Sequence, residues 1–147
     1  MTEVFEELFL IDTNILIYAF DTADPRKQKI AKELLELSWK KKITYTISAQ
    51  NLAEFFVVVT QKIPGKIPLD QAAQIIQDIH SFSHWKVLHY DSDTIQKAVD
   101  LYKKTKKHFW DAVIVATMKQ HGISKIYTEN KKDFEAFEEI HSINPFV

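Results

Sequence analysis

Short apolar runs alternate along the chain with longer segments whose apolar residues recur every three or four positions. The first kind indicates buried strands, and the second is typical of amphipathic helices. Strands are predicted at residues 8–11, 43–47, 85–90, 125–128 and 140–143. Helices are predicted at residues 15–20, 25–41, 69–82, 109–121 and 131–137. Two further helices are predicted from the cap residues Ser48 to about residue 62, and from Asp91 or Ser92 to about residue 104.

This alternation of strands and helices predicts an α/β fold with a mainly parallel central sheet of about five strands, covered by helices on both faces. The sequence shows no repeat, linker or low-complexity segment, so residues 1–147 are expected to form a single domain. In such a fold, ligands bind beyond the carboxyl ends of the strands. The residues directly after each predicted strand are therefore the first candidates for a functional site.

Composition narrows the possible chemistry. The chain has no cysteine, which excludes disulfides, thiolate zinc sites and cysteine nucleophiles, and its two glycines exclude a P-loop and a dinucleotide-binding fingerprint. Lys and Arg number 19 against 20 Asp and Glu, so binding to nucleic acid would need a local basic patch. Since no secretory signal or membrane-length apolar run is seen, we expect a soluble cytoplasmic protein without a membrane partner.

Several carboxylates stand in unusual surroundings. Asp12 directly follows the first predicted strand, Glu54 lies within the apolar segment 52–59, and Asp111 begins an almost entirely apolar helix. Each has a plainer explanation: Asp12 as a helix cap, Glu54 as the one wet stripe of its helix, and Asp111 as a complement to the helix dipole. A fourth polar cluster at residues 128–134 follows another strand and also fits a simple turn with a helix cap.

Taken together, these residues predict an acidic pocket at the edge of the sheet. Carboxylates brought together in a buried position repel one another and are expected to have raised pKa values until a cation binds. All of the candidate ligands are oxygen donors, which favours Mg²⁺, with Mn²⁺ as a substitute, over Zn²⁺. A magnesium site of this kind is typical of phosphoryl-transfer chemistry.

The polar motifs also carry a family resemblance. Residues 11–21, IDTNILIYAFD, resemble the opening motif of PIN domains, and more narrowly that of VapC-type toxins of prokaryotic toxin–antitoxin pairs. Residues 51–55, NLAEF, and 109–116, FWDAVIVA, resemble the second and third acidic motifs of the family. Residues 126–134, IYTENKKDF, resemble the fourth, and the closing INPF at residues 143–146 is also similar. The motifs occur in family order and span the whole chain.

The resemblance implies a PIN-like three-layer α/β/α fold and a magnesium-dependent endoribonuclease that prefers single-stranded RNA. It assigns Asp12, Glu54 and Asp111 as the catalytic, metal-holding acids. The fourth motif often has Asp where this chain has Asn130, so a metal contact there falls either to Asn130 or to its neighbours Asp133 and Glu129. Asn14 and Thr128 are candidates for hydrogen bonds that orient these ligands, although Asn14 also fits a plain helix cap.

The resemblance further implies hydrolysis by in-line attack of water, leaving 5′-phosphate and 3′-hydroxyl ends. It also implies an antitoxin protein that covers the active-site groove. A homodimer is expected both from the resemblance and from an apolar surplus in the segments 48–62 and 69–82.

The segment KKTKKH at residues 103–108 is the one concentrated basic run. Because it immediately precedes the Asp111 helix, its lysines are candidate phosphate contacts for RNA. A solvated helix end explains the same charges equally simply. The RNA-binding candidates are Lys103, Lys104, Lys106 and Lys107. The three tryptophans, Trp39, Trp85 and Trp110, are predicted to serve the core or an interface rather than to stack on bases.

Other functions fit the same residues. A PIN-like fold that binds RNA or protein without cutting is supported by Asn130, whereas Asp12, Glu54 and Asp111 argue against it. A nuclease of RNA maturation would share the same site. A DNA nuclease would also use this chemistry, because the pocket needs no 2′-hydroxyl. The preference for RNA therefore rests on the family resemblance alone.

Overall fold

The computed structural model describes residues 7–147. Its strands are β1 (Phe9–Ile11), β2 (Tyr45–Ser48), β3 (Trp85–Leu88), β4 (Lys125–Tyr127) and β5 (His141–Ile143). Its helices are α1 (Thr13–Tyr18), α2 (Pro25–Trp39), α3 (Ala49–Gln61), α4 (Leu69–Ser81), α5 (Ser92–Thr105), α6 (Phe109–Gln120) and α7 (Lys131–Glu135). Every predicted element is confirmed in type, and the bounds differ by one or two residues at most.

The strands form one sheet in the order β3-β2-β1-β4-β5, and every neighbouring pair is parallel. β1 lies at the centre, where Leu10 pairs with Thr46 of β2 and with Ile126 of β4. The chain moves outward from β1 through β2 to β3 and then returns to the other side of β1 as β4. The strand order therefore reverses between β1 and β4, and such a reversal opens a crevice at the carboxyl edge of the sheet.

Two apolar clusters fill the spaces above and below the sheet. One cluster joins α1–α4 to residues such as Ile11 and Ile47, and the other joins α5–α7 to residues such as Leu10 and Ile126. Adjacent strand residues point to opposite faces, so Leu10 and Ile11 enter different clusters. The sheet is thus covered on both faces, and the predicted three-layer α/β/α arrangement is confirmed.

Polar side chains cap the N-termini of helices that start at the carboxyl edge of the sheet. Asp12 caps α1, Ser48 and Asn51 form a capping box on α3, and Asp91 forms one with Thr94 on α5. α6 differs because its cap residue, His108, makes no side-chain cap hydrogen bond. Within residues 7–147, no helix has the length and apolar character needed to cross a bilayer.

Candidate active site

Asp12 lies at the end of β1 and is held by four donors. Oδ1 accepts from the backbone N–H of Thr13 at 2.8 Å and from Asn51 Nδ2 at 3.5 Å. Oδ2 accepts from the Thr128 hydroxyl at 2.7 Å and from Asn14 Nδ2 at 3.2 Å. Burial raises the pKa of this carboxyl, and the hydrogen bonds oppose that rise. The side chain is therefore fixed in one orientation.

Asn14 and Thr128 tie the end of β4 to the end of β1. Besides contacting Asp12, Asn14 Oδ1 accepts from the backbone N–H of Glu129 at 3.1 Å. The Thr128 hydroxyl accepts from the backbone N–H of Asn130 at 3.0 Å. The expected hydrogen bonds from Asn14 and Thr128 to Asp12 are thus present. They connect the first acid to the loop that carries the fourth motif.

Glu54 is exposed, and the expectation of a carboxylate enclosed by an apolar helix is wrong. α3 buries Phe55 and Val59, which leaves Glu54 and Val57 on its outer side. The apolar run had concealed this solvent-facing stripe, because two of its valines are not fully buried. The Glu54 carboxylate still points toward the site, since the Thr13 hydroxyl donates to its Oε2 at 3.0 Å.

Asp111 lies in the first turn of α6 and is partly buried. Burial, followed by the charges of Asp12 and Asp133, raises its pKa to about 6. His108 opposes this rise, and Glu54 adds to it. The charges of Asp12, Asp133 and Glu54 thus all act on Asp111, and that of Glu54 also acts on Asp12. We call Asp12, Glu54, Asp111 and Asp133 the acidic cluster.

The three candidate ligands of the fourth motif have different surroundings. The charge of Asp133, in the first turn of α7, adds to the burial that raises the pKa of Asp111. The carboxylate of Glu129 is instead paired with Lys27 at 2.5 Å. Asn130 is exposed and precedes α7 without a side-chain cap hydrogen bond. Of the three candidates, Asp133 therefore has the clearest electrostatic link to the predicted site.

Gln50 is a site residue that the sequence did not single out. This buried side chain donates through Nε2 to Glu54 Oε1 at 3.2 Å and to the backbone carbonyl of Trp110 at 3.4 Å. Its Oε1 is buried without a hydrogen-bond partner among the described residues. Turning the amide over would set that oxygen against two acceptors, so Nε2 must occupy the bridging position. Gln50 is the second residue after the end of β2, and nothing in the local sequence indicated its bridging role.

Asn51 is a second residue of the site that the sequence analysis did not single out. It is fully buried, and its Nδ2 donates to the Thr13 hydroxyl at 2.8 Å. Its Oδ1 accepts from the Ser48 hydroxyl at 2.8 Å. Asn51 therefore links the start of α3 to Asp12 and Thr13. It contacts Asp12 directly and Glu54 through the Thr13 hydroxyl.

The predicted RNA-binding lysines lie at the end of α5 and in the turn before α6. All four are exposed, and within residues 7–147 none forms an ion pair with an acidic side chain. Lys104 borders a cavity of about 370 Å³ that Lys119 also lines. Lys106 ends α5 in the left-handed conformation, with φ of 52°. We call Lys103, Lys104, Lys106 and Lys107 the basic segment.

The acidic cluster offers oxygen ligands to a divalent cation but no preformed cage. In the part of the chain that the structure describes, no three acidic or histidine side chains are placed to coordinate one ion together. Asp12, Glu54 and Asp111 thus do not form a preformed three-carboxylate cage. The atoms that these side chains offer to a metal are nevertheless all oxygens, and the charges of the carboxylates repel one another. This suits Mg²⁺, which keeps several waters and uses one or two carboxylates.

Comparison with known proteins identifies the fold family. A PIN domain family model matches residues 9–140, which is most of the chain. The chain belongs to the PIN domain family. All members of the acidic cluster, together with Asn14, Thr128 and Asn130, fall within the part that matches the PIN domain.

Solved structures with the same PIN fold include several toxins. A toxin–antitoxin complex from Klebsiella pneumoniae is 26% identical, with a TM-score of 0.63 and coverage of 93% of this chain and 97% of that one. VapC20 of Mycobacterium tuberculosis, a toxin that cleaves the sarcin–ricin loop, is 22% identical, with a TM-score of 0.66 and coverage of 90% and 98%. Comparison with curated protein sequences gave no significant match.

A third structure is VapBC2 of Rickettsia felis bound to a DNA fragment from its promoter. It is 18% identical, with a TM-score of 0.65 and coverage of 93% of this chain and 98% of that one. At this identity the likeness concerns the PIN fold itself. The PIN domain described here therefore spans nearly the whole length of each of these neighbours.

Proposed function

We propose that this PIN-domain protein is a magnesium-dependent endoribonuclease that cleaves single-stranded RNA in the cytoplasm as the toxin of a toxin–antitoxin pair. The observation that carries the proposal is the acidic cluster. Asp12, Glu54 and Asp111 come from three separate parts of the chain, and burial, with the charges of Asp12 and Glu54 adding to it, raises the pKa of Asp111 to about 6. Such a cluster is unfavourable without a cation, and this favours a metal-binding role over a structural one.

The three acids have different local environments, and this suggests different tasks. Asp12 is fixed by its four donors, so it would supply a rigidly placed oxygen. Asp111 has no donor bound to its carboxylate among the described residues, so both oxygens are free for a cation and its waters. Glu54 is held by Thr13, which follows Asp12, and by Gln50, which also contacts the backbone next to Asp111.

Mg²⁺ held by these acids, or Mn²⁺ in its place, would stabilise the charge that develops on the phosphate and lower the pKa of the attacking water. Attack in line on phosphorus then breaks the bond to the 3′-oxygen, which leaves as a 3′-hydroxyl, and the new oxygen stays on the 5′-phosphate. The protein contributes position and electrostatics, because no histidine pair is present in the cluster to activate a ribose hydroxyl.

The toxin assignment and the choice of RNA rest on similarity. The Klebsiella pneumoniae neighbour is a toxin–antitoxin complex, and VapC20 cleaves an RNA loop. An apolar cavity of about 150 Å³ between α1, α2 and α4 supports this assignment, because it has room for apolar side chains of an antitoxin segment. Its walls include Leu16, Phe20, Leu35, Ile75 and Ile79. A short apolar helix is the chemistry that fits such a groove.

Cleavage of a labelled single-stranded RNA tests the proposal. The wild-type protein should cut in Mg²⁺ and stop in EDTA, and Asp12→Ala and Asp111→Ala should each lose at least ~10²-fold in rate. Asp70→Ala is the matched control, because Asp70 is an exposed aspartate in the first turn of α4. Binding without cleavage in any divalent metal would favour the non-catalytic module, and equal cutting of a DNA of the same sequence would remove the RNA preference.

A further inference from the structure

Trp110 is the most exposed of the three tryptophans. Its side chain is 57% exposed, whereas Trp39 is 38% and Trp85 only 4% exposed. Trp110 therefore lies outside the core, and the interface that the sequence analysis named beside the core stays a prediction. It immediately precedes Asp111, and every residue from Ala112 to Met118 is buried. A large aromatic ring thus stands in solvent at the rim of the acidic cluster, where hydrophobic burial alone gives it no reason to be.

Neighbouring aromatic rings and a backbone hydrogen bond hold Trp110 in place. It packs edge-on against Phe109 with centroids 5.9 Å apart, and Phe109 packs edge-on against Tyr102 of α5 at 6.0 Å. The backbone carbonyl of Trp110 accepts from Gln50, which also donates to Glu54. One amide therefore anchors the backbone of Trp110 to an acid of the cluster, which fixes the ring's place relative to the site.

Exposed lysines also lie close to Trp110 along the chain. Lys106 and Lys107 occupy the turn that leads into α6, and the rest of the basic segment ends α5. Neither of these two lysines forms an ion pair within residues 7–147. An exposed aromatic ring with exposed lysines three and four residues before it matches a single-stranded nucleic acid, in which bases stack on the ring and phosphates contact the cations.

We propose that Trp110 is a base-stacking platform for single-stranded RNA beside the acidic cluster, and that Lys106 and Lys107 contact the adjoining phosphates. The inference rests on the proposed function and adds a binding subsite to it. A second copy of the chain fits the surface less well, because a two-fold interface centred there would bring lysines against lysines. Stacking on an exposed ring is also insensitive to base identity, so this subsite would select unpaired strands over duplexes.

The test separates binding from cleavage by working in EDTA with a short labelled RNA. Trp110→Ala should raise the Kd for single-stranded RNA about 10-fold, and Trp110→Phe, which keeps a flat ring, should recover most of the affinity. Affinity for a duplex of the same sequence should not change between wild type and Trp110→Ala. Melting temperatures of the variants show that the fold is intact.

Intrinsic fluorescence provides a matched pair of variants. In Trp39→Phe the only well-exposed tryptophan is Trp110, so RNA should quench the emission as it does in wild type. In Trp110→Phe the exposed ring is Trp39, and the quenching should disappear although binding remains. Lys106→Gly fits the left-handed conformation at that residue, so it removes the charge without backbone strain. It should lower the salt dependence of log Kd by about 0.7.

Three results would overturn the inference. The first is an unchanged Kd in Trp110→Ala while wild type still cleaves RNA, which would leave the proposed function standing. The second is quenching in Trp110→Phe equal to that in Trp39→Phe. The third is a Trp110→Ala protein that binds RNA normally but halves in mass, which would assign Trp110 to a subunit interface. A wild-type protein that neither binds nor cleaves RNA would instead refute the proposed function itself.

Discussion

Removing the charge of Asp111 should stabilise the fold at neutral pH. Asp111→Asn keeps the size of the side chain but leaves no charge to be penalised by burial or repelled by the rest of the acidic cluster. The folded-state pKa of about 6 lies above the ordinary 3.8, so the folded protein holds this proton more tightly than the unfolded chain. The resulting stability is fully present below pH 3.8 and is lost as pH rises through about 6. At pH 7.5 the wild type therefore carries the whole penalty.

The size of the effect follows from the pKa. A rise from 3.8 to about 6 corresponds to ~3 kcal/mol at 1.36 kcal/mol per unit. Asp111 is only partly buried, so solvent screening reduces this to ~1–2 kcal/mol. The N-terminus of α6 favours an anion by ~0.3–1 kcal/mol, which offsets part of the gain. A net stabilisation of ~1 kcal/mol is expected, which raises Tm by about 2–4 °C for a domain of this size.

Thermal unfolding in EDTA at pH 7.5 and pH 4.5 measures this change. Asp111→Asn should melt above wild type at pH 7.5, and the difference should shrink at pH 4.5, where the wild-type carboxyl is mostly protonated in the folded state. The control Asp70→Asn changes an exposed first-turn aspartate of α4 and should leave Tm unchanged or slightly lower. A Tm for Asp111→Asn at or below that of wild type at pH 7.5 would refute the electrostatic reasoning.

Three further outcomes are expected. Mg²⁺ or Mn²⁺ should raise the Tm of wild type by relieving the repulsion, and Asp111→Asn should lose most of that rise; a full metal-dependent rise in the variant would move the site elsewhere. Asn130→Asp should hold or increase cleavage at low Mg²⁺ by adding charge, and an unshifted metal midpoint would leave Asp133 as the remaining candidate. Light scattering should give a homodimer of twice 17.2 kDa, whereas a mass near 17.2 kDa at micromolar concentration would reject the dimer.

The order and type of the elements could be predicted because local signals were strong and consistent. Asp12 and Ser48 are effective helix caps directly after apolar strands, and the structure uses both in that way. The sheet order could not be read from the same signals. It depends on which strand the chain returns to after β3, and that is decided by packing on the far face of the sheet rather than by any local residue.

The environments of the candidate site residues were harder to predict than the elements that carry them. Glu54 was expected in an apolar setting because its neighbours in sequence are apolar, but rotation of α3 turns it outward. Gln50 carried no local signal of its bridging role, since its two partners are 4 and 60 residues away along the chain. Trp110 had an apolar sequence context and yet lies exposed. In each case the orientation comes from tertiary packing.

The chemical ends of the cleaved RNA test the central claim most directly. Hydrolysis at the acidic cluster, by water attacking phosphorus in line, predicts 5′-phosphate and 3′-hydroxyl ends in Mg²⁺ and no products in EDTA or from an identically prepared Asp12→Ala protein. Mass spectrometry of the products of a short single-stranded RNA distinguishes the possible ends. Products with 2′,3′-cyclic phosphate and 5′-hydroxyl ends, formed equally in EDTA, would contradict the account, because they require attack by the ribose 2′-hydroxyl without a metal.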